Sequence, residues 1–201
     1  LFKLKGKSVL YLHGKLLLEP IFSYQFPIKT RVRLIIEKLL VKILYKNVDL
    51  IIVQTPSMKK LAEEFMPSRK IISFPFYNPK INNRGTVSKY DFIYPSYGYS
   101  YKNHDKLMQA MIILASMSIF PSLVLALDSS IDKNLINKIE IDAKKYNLNV
   151  KLLIDKDFDE VKSLYCKSKC LIWPSLTESL GIPILDAIYN GIDILAADLN
   201  Y

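Results

Sequence analysis

The stretch from Cys170 to Tyr201, CLIWPSLTESLGIPILDAIYNGIDILAADLNY, constrains the fold more than any other part of the chain. An apolar run, Cys170–Trp173, leads into a turn-rich loop, a helical segment and a second apolar run. Strand, loop, helix and strand in that order form the repeating unit of a parallel α/β sheet. Such sheets bind ligands beyond the carboxyl ends of their strands, and here Pro174, Ser175, Thr177 and Glu178 crowd that place. Pro183 fits the first turn of a helix, leaving the backbone N–H groups of Leu180, Gly181 and Ile182 pointing outward. A helix start of this kind suits a phosphate. The Glu178 carboxylate would repel that phosphate, but it would accept hydrogen bonds from neutral hydroxyls such as those of a sugar.

The preceding residues repeat the same alternation. Strands are expected at Asp91–Tyr94, Ser122–Ala126 and Val150–Ile154, with helices at Asn103–Met117, Ile131–Tyr146 and Asp157–Lys167. Five strands alternating with helices imply a parallel, doubly wound α/β sheet. Asn103 is expected to cap its helix, and His104 to be a solvated neighbour. The first part of the chain reads as strand Ser8–Leu12, an irregular stretch to Thr30, helix Arg31–Lys46 and strand Asp49–Gln54. A helix capped by Thr55 with Pro56 in its first turn follows, then strand Lys70–Phe74. The turn-rich segment Asn78–Ser88 is the natural domain boundary, giving domains of residues 1–82 and 83–201.

Charge divides unevenly between the halves. The chain carries a net charge of +9, made up of +12 over residues 1–90 and −3 over residues 91–201. Such a basic front would meet an anionic membrane or a phosphate-bearing acceptor, though the same lysines would also keep a half-apolar surface soluble. Arg31, Lys38, Lys42 and Lys46 fall in one arc of their helix, as in a helix lying on a membrane or in an ordinary solvated face. No nucleic-acid reader motif is present. The six glycines never form G-x-G, which removes a dinucleotide oxidoreductase from consideration. Cys166 and Cys170 are too few for a zinc site and read as small hydrophobes. With no signal peptide or membrane span recognisable, a cytoplasmic location is expected. Leu1 in place of an initiating Met, and a stop directly after an apolar run, are what a piece of a longer protein would show.

The string from Pro174 to Ile188, followed by Gly191 and Ala196-Ala197-Asp198, resembles the donor-binding signature of retaining GT-B glycosyltransferases of the group-1 (family 4) type. That signature has two acidic residues with seven between them, here Glu178 and Asp186, with Asp186 standing where the family has Glu. The resemblance extends over nearly the whole chain. It implies two Rossmann-like parallel-sheet domains, the acceptor-side one incomplete and the nucleotide-side one nearly complete. It also implies transfer of a sugar from a nucleotide-sugar donor to a glycan or lipid-linked acceptor with retention, in cell-surface polysaccharide synthesis, without metal or other cofactor.

Carried over residue by residue, Glu178 would contact hydroxyls of the donor sugar near the reacting carbon, and Asp186 would hold the ribose. The backbone N–H groups of Leu180, Gly181 and Ile182 would bind phosphate, with a hydroxyl from Ser179. Lys102 matches the family's second diphosphate-binding cation, whereas the preceding Gly-Arg pair is replaced by Pro95 and Ser96. His13, at the end of the first strand, matches a family His that reaches the donor sugar. Ile154 stands where the family often has a glycine beside the base. Two other readings share the architecture: a nucleotide-sugar epimerase, and an inactive nucleotide-binding fragment.

Overall fold

A computed structural model describes residues 6–20, 26–78, 88–130 and 133–199. The chain forms two compact units. One runs to Tyr77 and includes Thr177–Gly181, and the other takes in Asn78–Leu176 and Ile182–Asp198. Much of the segment Asn78–Ser88, and with it the junction at residues 82 and 83, lies outside the described residues.

The first unit is built on a parallel sheet ordered β1 (Val9–Leu12), β2 (Leu50–Val53), β3 (Lys70–Ser73). Its strands are short, branched and apolar, as half-buried or buried parallel strands require. Helix α1 (Ile28–Leu44) joins β1 to β2, beginning three residues earlier than its charge pattern suggests. Pro27 precedes it and cannot continue a helix backwards. Helix α2 (Pro56–Phe65) starts as expected, with the Thr55 hydroxyl accepting from the Met58 N–H and Pro56 at the first position. Loss of that cap in Thr55→Ala is expected to lower stability by about 1 kcal/mol, measurable as a shifted urea midpoint with an unchanged slope. Ile51, Val53, Met58, Ala62 and Met66, all fully buried, fill this core.

The second unit carries five parallel strands in the order β6-β5-β4-β7-β8. In chain order these are β4 (Tyr90–Pro95), β5 (Leu123–Leu127), β6 (Val150–Ile154), β7 (Ser168–Trp173) and β8 (Asp193–Ala196). The intervening helices are α3 (His104–Ser116), α4 (Lys133–Lys145), α5 (Phe158–Tyr165) and α6 (Ile182–Tyr189). The interior strand β5, LVLAL, paired on both edges by β4 and β6, is buried at all five positions, which explains its unbroken apolar run. Asp157 caps α5 in a full capping box, its side chain accepting from the Glu160 N–H while Glu160 reaches back to the Asp157 N–H.

This order fixes where a ligand can approach the sheet. From β4 the chain winds outward through β5 and β6, then returns across the sheet to place β7 on the other side of β4. The winding reverses between β4 and β7, where open α/β sheets take ligands beyond the carboxyl ends of their strands. The loops leaving those two ends begin at Ser96 and Pro174.

Candidate functional site

The two loops at this reversal are tied together by their backbones. The Leu176 N–H donates to the Tyr101 carbonyl at 2.8 Å, and the Asn103 side-chain amide donates to the Pro174 carbonyl at 3.1 Å. Asn103 therefore does not cap α3 with its side chain, as the sequence suggests. It adopts a left-handed conformation, φ 61° and ψ 33°, that turns the chain from the short 3-10 turn Ser100–Lys102 into α3. Asn is among the few residues that enter this region at low cost. Its amide is then committed to the neighbouring loop, which holds the two loops in register.

Lys102 is buried at the end of that turn. Its Nζ lies 4.9 Å from the centroid of the Trp173 ring and 5.5 Å from that of Tyr101. Aromatic faces attract a cation through their negative π-surfaces, so the strand-end Trp173 and the loop residue Tyr101 position this ammonium. The Lys102 carbonyl also accepts from the Tyr94 hydroxyl, which fastens the turn to β4. Ser96, at the place of the family arginine, is buried and bonded through its N–H to Ala126. Its side chain is short and uncharged, so Lys102 is the cation that this loop brings to the end of β4.

His104 is buried at 4 % exposure rather than solvated. It heads the face His104, Leu107, Met108, Met111, whose i, i+3, i+4, i+7 spacing marks the buried side of α3. Its ring packs against Tyr94 at 4.8 Å, and its buried Nε2 has no hydrogen-bond partner among the described residues. Burial, then the charge of Lys102, push its pKa down to about 4 from 6.5, against a weaker pull from Asp105. The unfolded chain therefore binds this proton first as pH falls. The stabilisation is complete above pH 6.5 and is lost between 6.5 and about 4, amounting to about 3 kcal/mol at most. The urea midpoint of His104→Gln should fall less than that of the parent between pH 7 and pH 5; an equal fall would contradict this assignment.

Asp186 lies on α6, on its buried face rather than its exposed one. Its Oδ1 is 3.0 Å from Nζ of Lys162 on α5, and both side chains are only 6 % exposed. Lys162 also sits over the Phe158 ring at 4.6 Å. The following turn is closed by Asn190, whose side-chain amide donates to the Asp186 carbonyl at 2.8 Å.

Glu178 is half-buried on the loop between β7 and α6. Its neighbours on both sides are anchored within the first unit. The Thr177 hydroxyl donates to the Glu19 carboxylate at 2.9 Å, and the Ser179 hydroxyl accepts from the Lys15 N–H at 3.2 Å. Glu19 in turn pairs with the buried Lys15 at 3.3 Å. Both residues fall in the stretch expected to be irregular, where nothing in the sequence marks a lysine and a glutamate four residues apart as a buried pair. His13, just before them, is exposed and stacked edge-on against Tyr11 at 4.4 Å.

Leu180 is half-buried, and Gly181 is buried with φ +69°. An L side chain in that left-handed region costs roughly 1–2 kcal/mol, which accounts for glycine at the entry to α6. Ile182, the first residue of α6, is exposed, and Pro183 follows it within the first turn. Cys166 is buried and Cys170 partly so, both as free thiols.

A family model described as glycosyl transferases group 1 matches residues 77–201. No curated protein matches the sequence. Among solved structures, a variant of S. aureus TarM in complex with fondaparinux, alpha-GlcNAc-glycerol and UDP is similar at TM-score 0.71 and 15% identity. That match covers 97% of this chain and 37% of TarM. Anabaena HepE in complex with UDP-glucose is similar at TM-score 0.69 and 16% identity, over 96% of this chain and 54% of HepE. The pneumococcal O-GlcNAc transferase GtfA, in complex with UDP and GlcNAc, gives TM-score 0.65 and 16% identity over 80% of this chain and 32% of that protein. The chain thus spans between a third and somewhat over half of the length of these proteins. At such identities the likeness is one of fold, that of GT-B glycosyltransferases with their Rossmann-like parallel sheets. The matched region takes in both loops at the winding reversal, the Glu178–Asp186 segment and most of the chain: this protein belongs to the group 1 glycosyl transferases.

Proposed function

We propose that the chain is part of a glycosyltransferase that moves a sugar from a nucleotide-sugar donor to a glycan or lipid-linked acceptor with retention of configuration, in cell-surface polysaccharide synthesis. The observation that carries the donor assignment is Lys102, a buried cation held between aromatic rings at the β4–β7 winding reversal of a group 1 chain. In this reading Lys102 neutralises the diphosphate as it leaves, a charge that a fixed cation stabilises best where water is excluded. The N–H groups of Leu180, Gly181 and Ile182, with the Ser179 hydroxyl, bind phosphate oxygens. Asp186 accepts from the ribose hydroxyls. Glu178 accepts from hydroxyls of the donor sugar, and His13 adds a contact to that sugar. No metal or other cofactor is assigned a role.

Donor hydrolysis followed by proton NMR, with no acceptor present, tests retention. An α-linked donor should release the α-anomer before mutarotation; initial β-anomer would overturn retention. A nucleotide that binds without turnover would instead favour a nucleotide-binding module of the same architecture.

A further inference from the structure

Helix α1 has two apolar faces. Leu34 and Val41 are buried in the first unit, as a packed helix requires. Ile28, Val32, Ile36, Leu39 and Ile43 lie on the opposite side, with Ile28 at 79% and Ile43 at 67% exposure. At 3.6 residues per turn these five fall within an arc of about 80°. Ile28, Val32 and Ile36 line a shallow groove there together with Lys29, Arg33 and Glu37. Basic residues border the stripe on both sides, Lys29 and Arg33 along one edge and Arg31 and Lys42 along the other. The helix holds a single acid, Glu37, at the rim of the groove beyond Arg33, with which it pairs at 3.5 Å, so that Lys29, Arg31 and Lys42 are the flanking cations it does not offset. Lys38 is also turned away, donating to the Glu19 carbonyl.

We infer that this face of α1 is a docking surface for an anionic lipid bilayer, with α1 lying flat in the headgroup region. Charge complementarity selects this occupant. An apolar stripe with cations on both flanks matches an interface that is apolar within and anionic at its surface, where lysine and arginine stems extend toward the phosphates. A second copy of the chain fits poorly, because a two-fold pairing of identical stripes sets cations against cations. The helix lies on the bilayer rather than crossing it: among the described residues no helix is long and apolar enough to span a membrane. The inference is independent of sugar transfer.

Vesicle pelleting tests it, using phosphatidylcholine vesicles with and without phosphatidylglycerol. The chain should pellet with the anionic vesicles, less so as salt rises, and hardly with phosphatidylcholine alone. Removing three flanking cations in Lys29→Gln/Arg33→Gln/Lys42→Gln should weaken binding roughly a hundredfold. Ile36→Glu/Leu39→Glu should abolish it, and since both positions are exposed, each variant should keep its thermal unfolding midpoint. No binding by the parent chain, or unchanged binding by both variants, would overturn the proposal. So would a dimer in sedimentation velocity that Ile36→Glu/Leu39→Glu dissociates, since a second copy would then cover the stripe.

Discussion

Glu178→Ala is expected to reduce sugar transfer by a factor of roughly a hundred to ten thousand while leaving the fold unchanged. Hydrogen bonds to a charged group contribute about 1.5–3 kcal/mol each, and a carboxylate gripping two donor hydroxyls would lose two of them. The loss should appear in kcat/KM. Stability should move little, because the loop is held by its neighbours: Thr177 by the Glu19 carboxylate and Ser179 by the Lys15 N–H. The comparison that separates the two effects is Thr177→Val, which removes the Glu19 contact and keeps Glu178. If Glu178→Ala turned over normally, the carboxylate would have no part in binding the donor.

The largest effect on stability is expected from Asp186→Ala, which takes the carboxylate away from the buried Lys162 ammonium 3.0 Å from it. Breaking a buried ion pair on one side costs about 3–5 kcal/mol, whereas replacing both partners by apolar residues of similar volume is often neutral. The pair is 3.0 Å apart with both side chains 6 % exposed, so it meets that condition. Lys162→Met/Asp186→Leu should therefore recover most of the stability lost in Asp186→Ala. Its donor affinity should stay low, because the proposed ribose acceptor is gone. Denaturant unfolding and nucleotide titration of the same two variants would separate the structural role of Asp186 from the ligand-binding one. A double variant as unstable as the single one would show that Asp186 stabilises the fold through some other contact.

The alternating elements were legible because each strand is a short apolar run bounded by turn residues and each helix has its own period. Strand β6 falls on its expected residues, and the Thr55 cap is where a hydroxyl followed by proline demands it. Contacts between residues distant in sequence were not legible. Asp186 is an acid on an amphipathic helix until Lys162, 24 positions earlier and otherwise an unremarkable lysine of α5, is seen beside it. Asn103 has the composition of a cap, yet the turn before it takes its backbone into the left-handed region and its side chain to Pro174. The burial of His104 is written in its spacing to Leu107, Met108 and Met111, which outweighs the polarity of the imidazole. In α1 the basic arc dominates the sequence pattern, whereas the structure leaves an apolar stripe outward and turns Lys38 toward the Glu19 carbonyl.

In the proposed function, the winding reversal of the second unit binds a nucleotide-sugar through Lys102. Saturation-transfer NMR tests this most directly, with the chain screened against UDP, GDP, ADP and their sugar conjugates in parallel with Lys102→Ala. Selective saturation of one nucleotide and its conjugates, lost in the variant, is expected. Saturation of none of them by the folded chain, or a signal unchanged in Lys102→Ala, would contradict it.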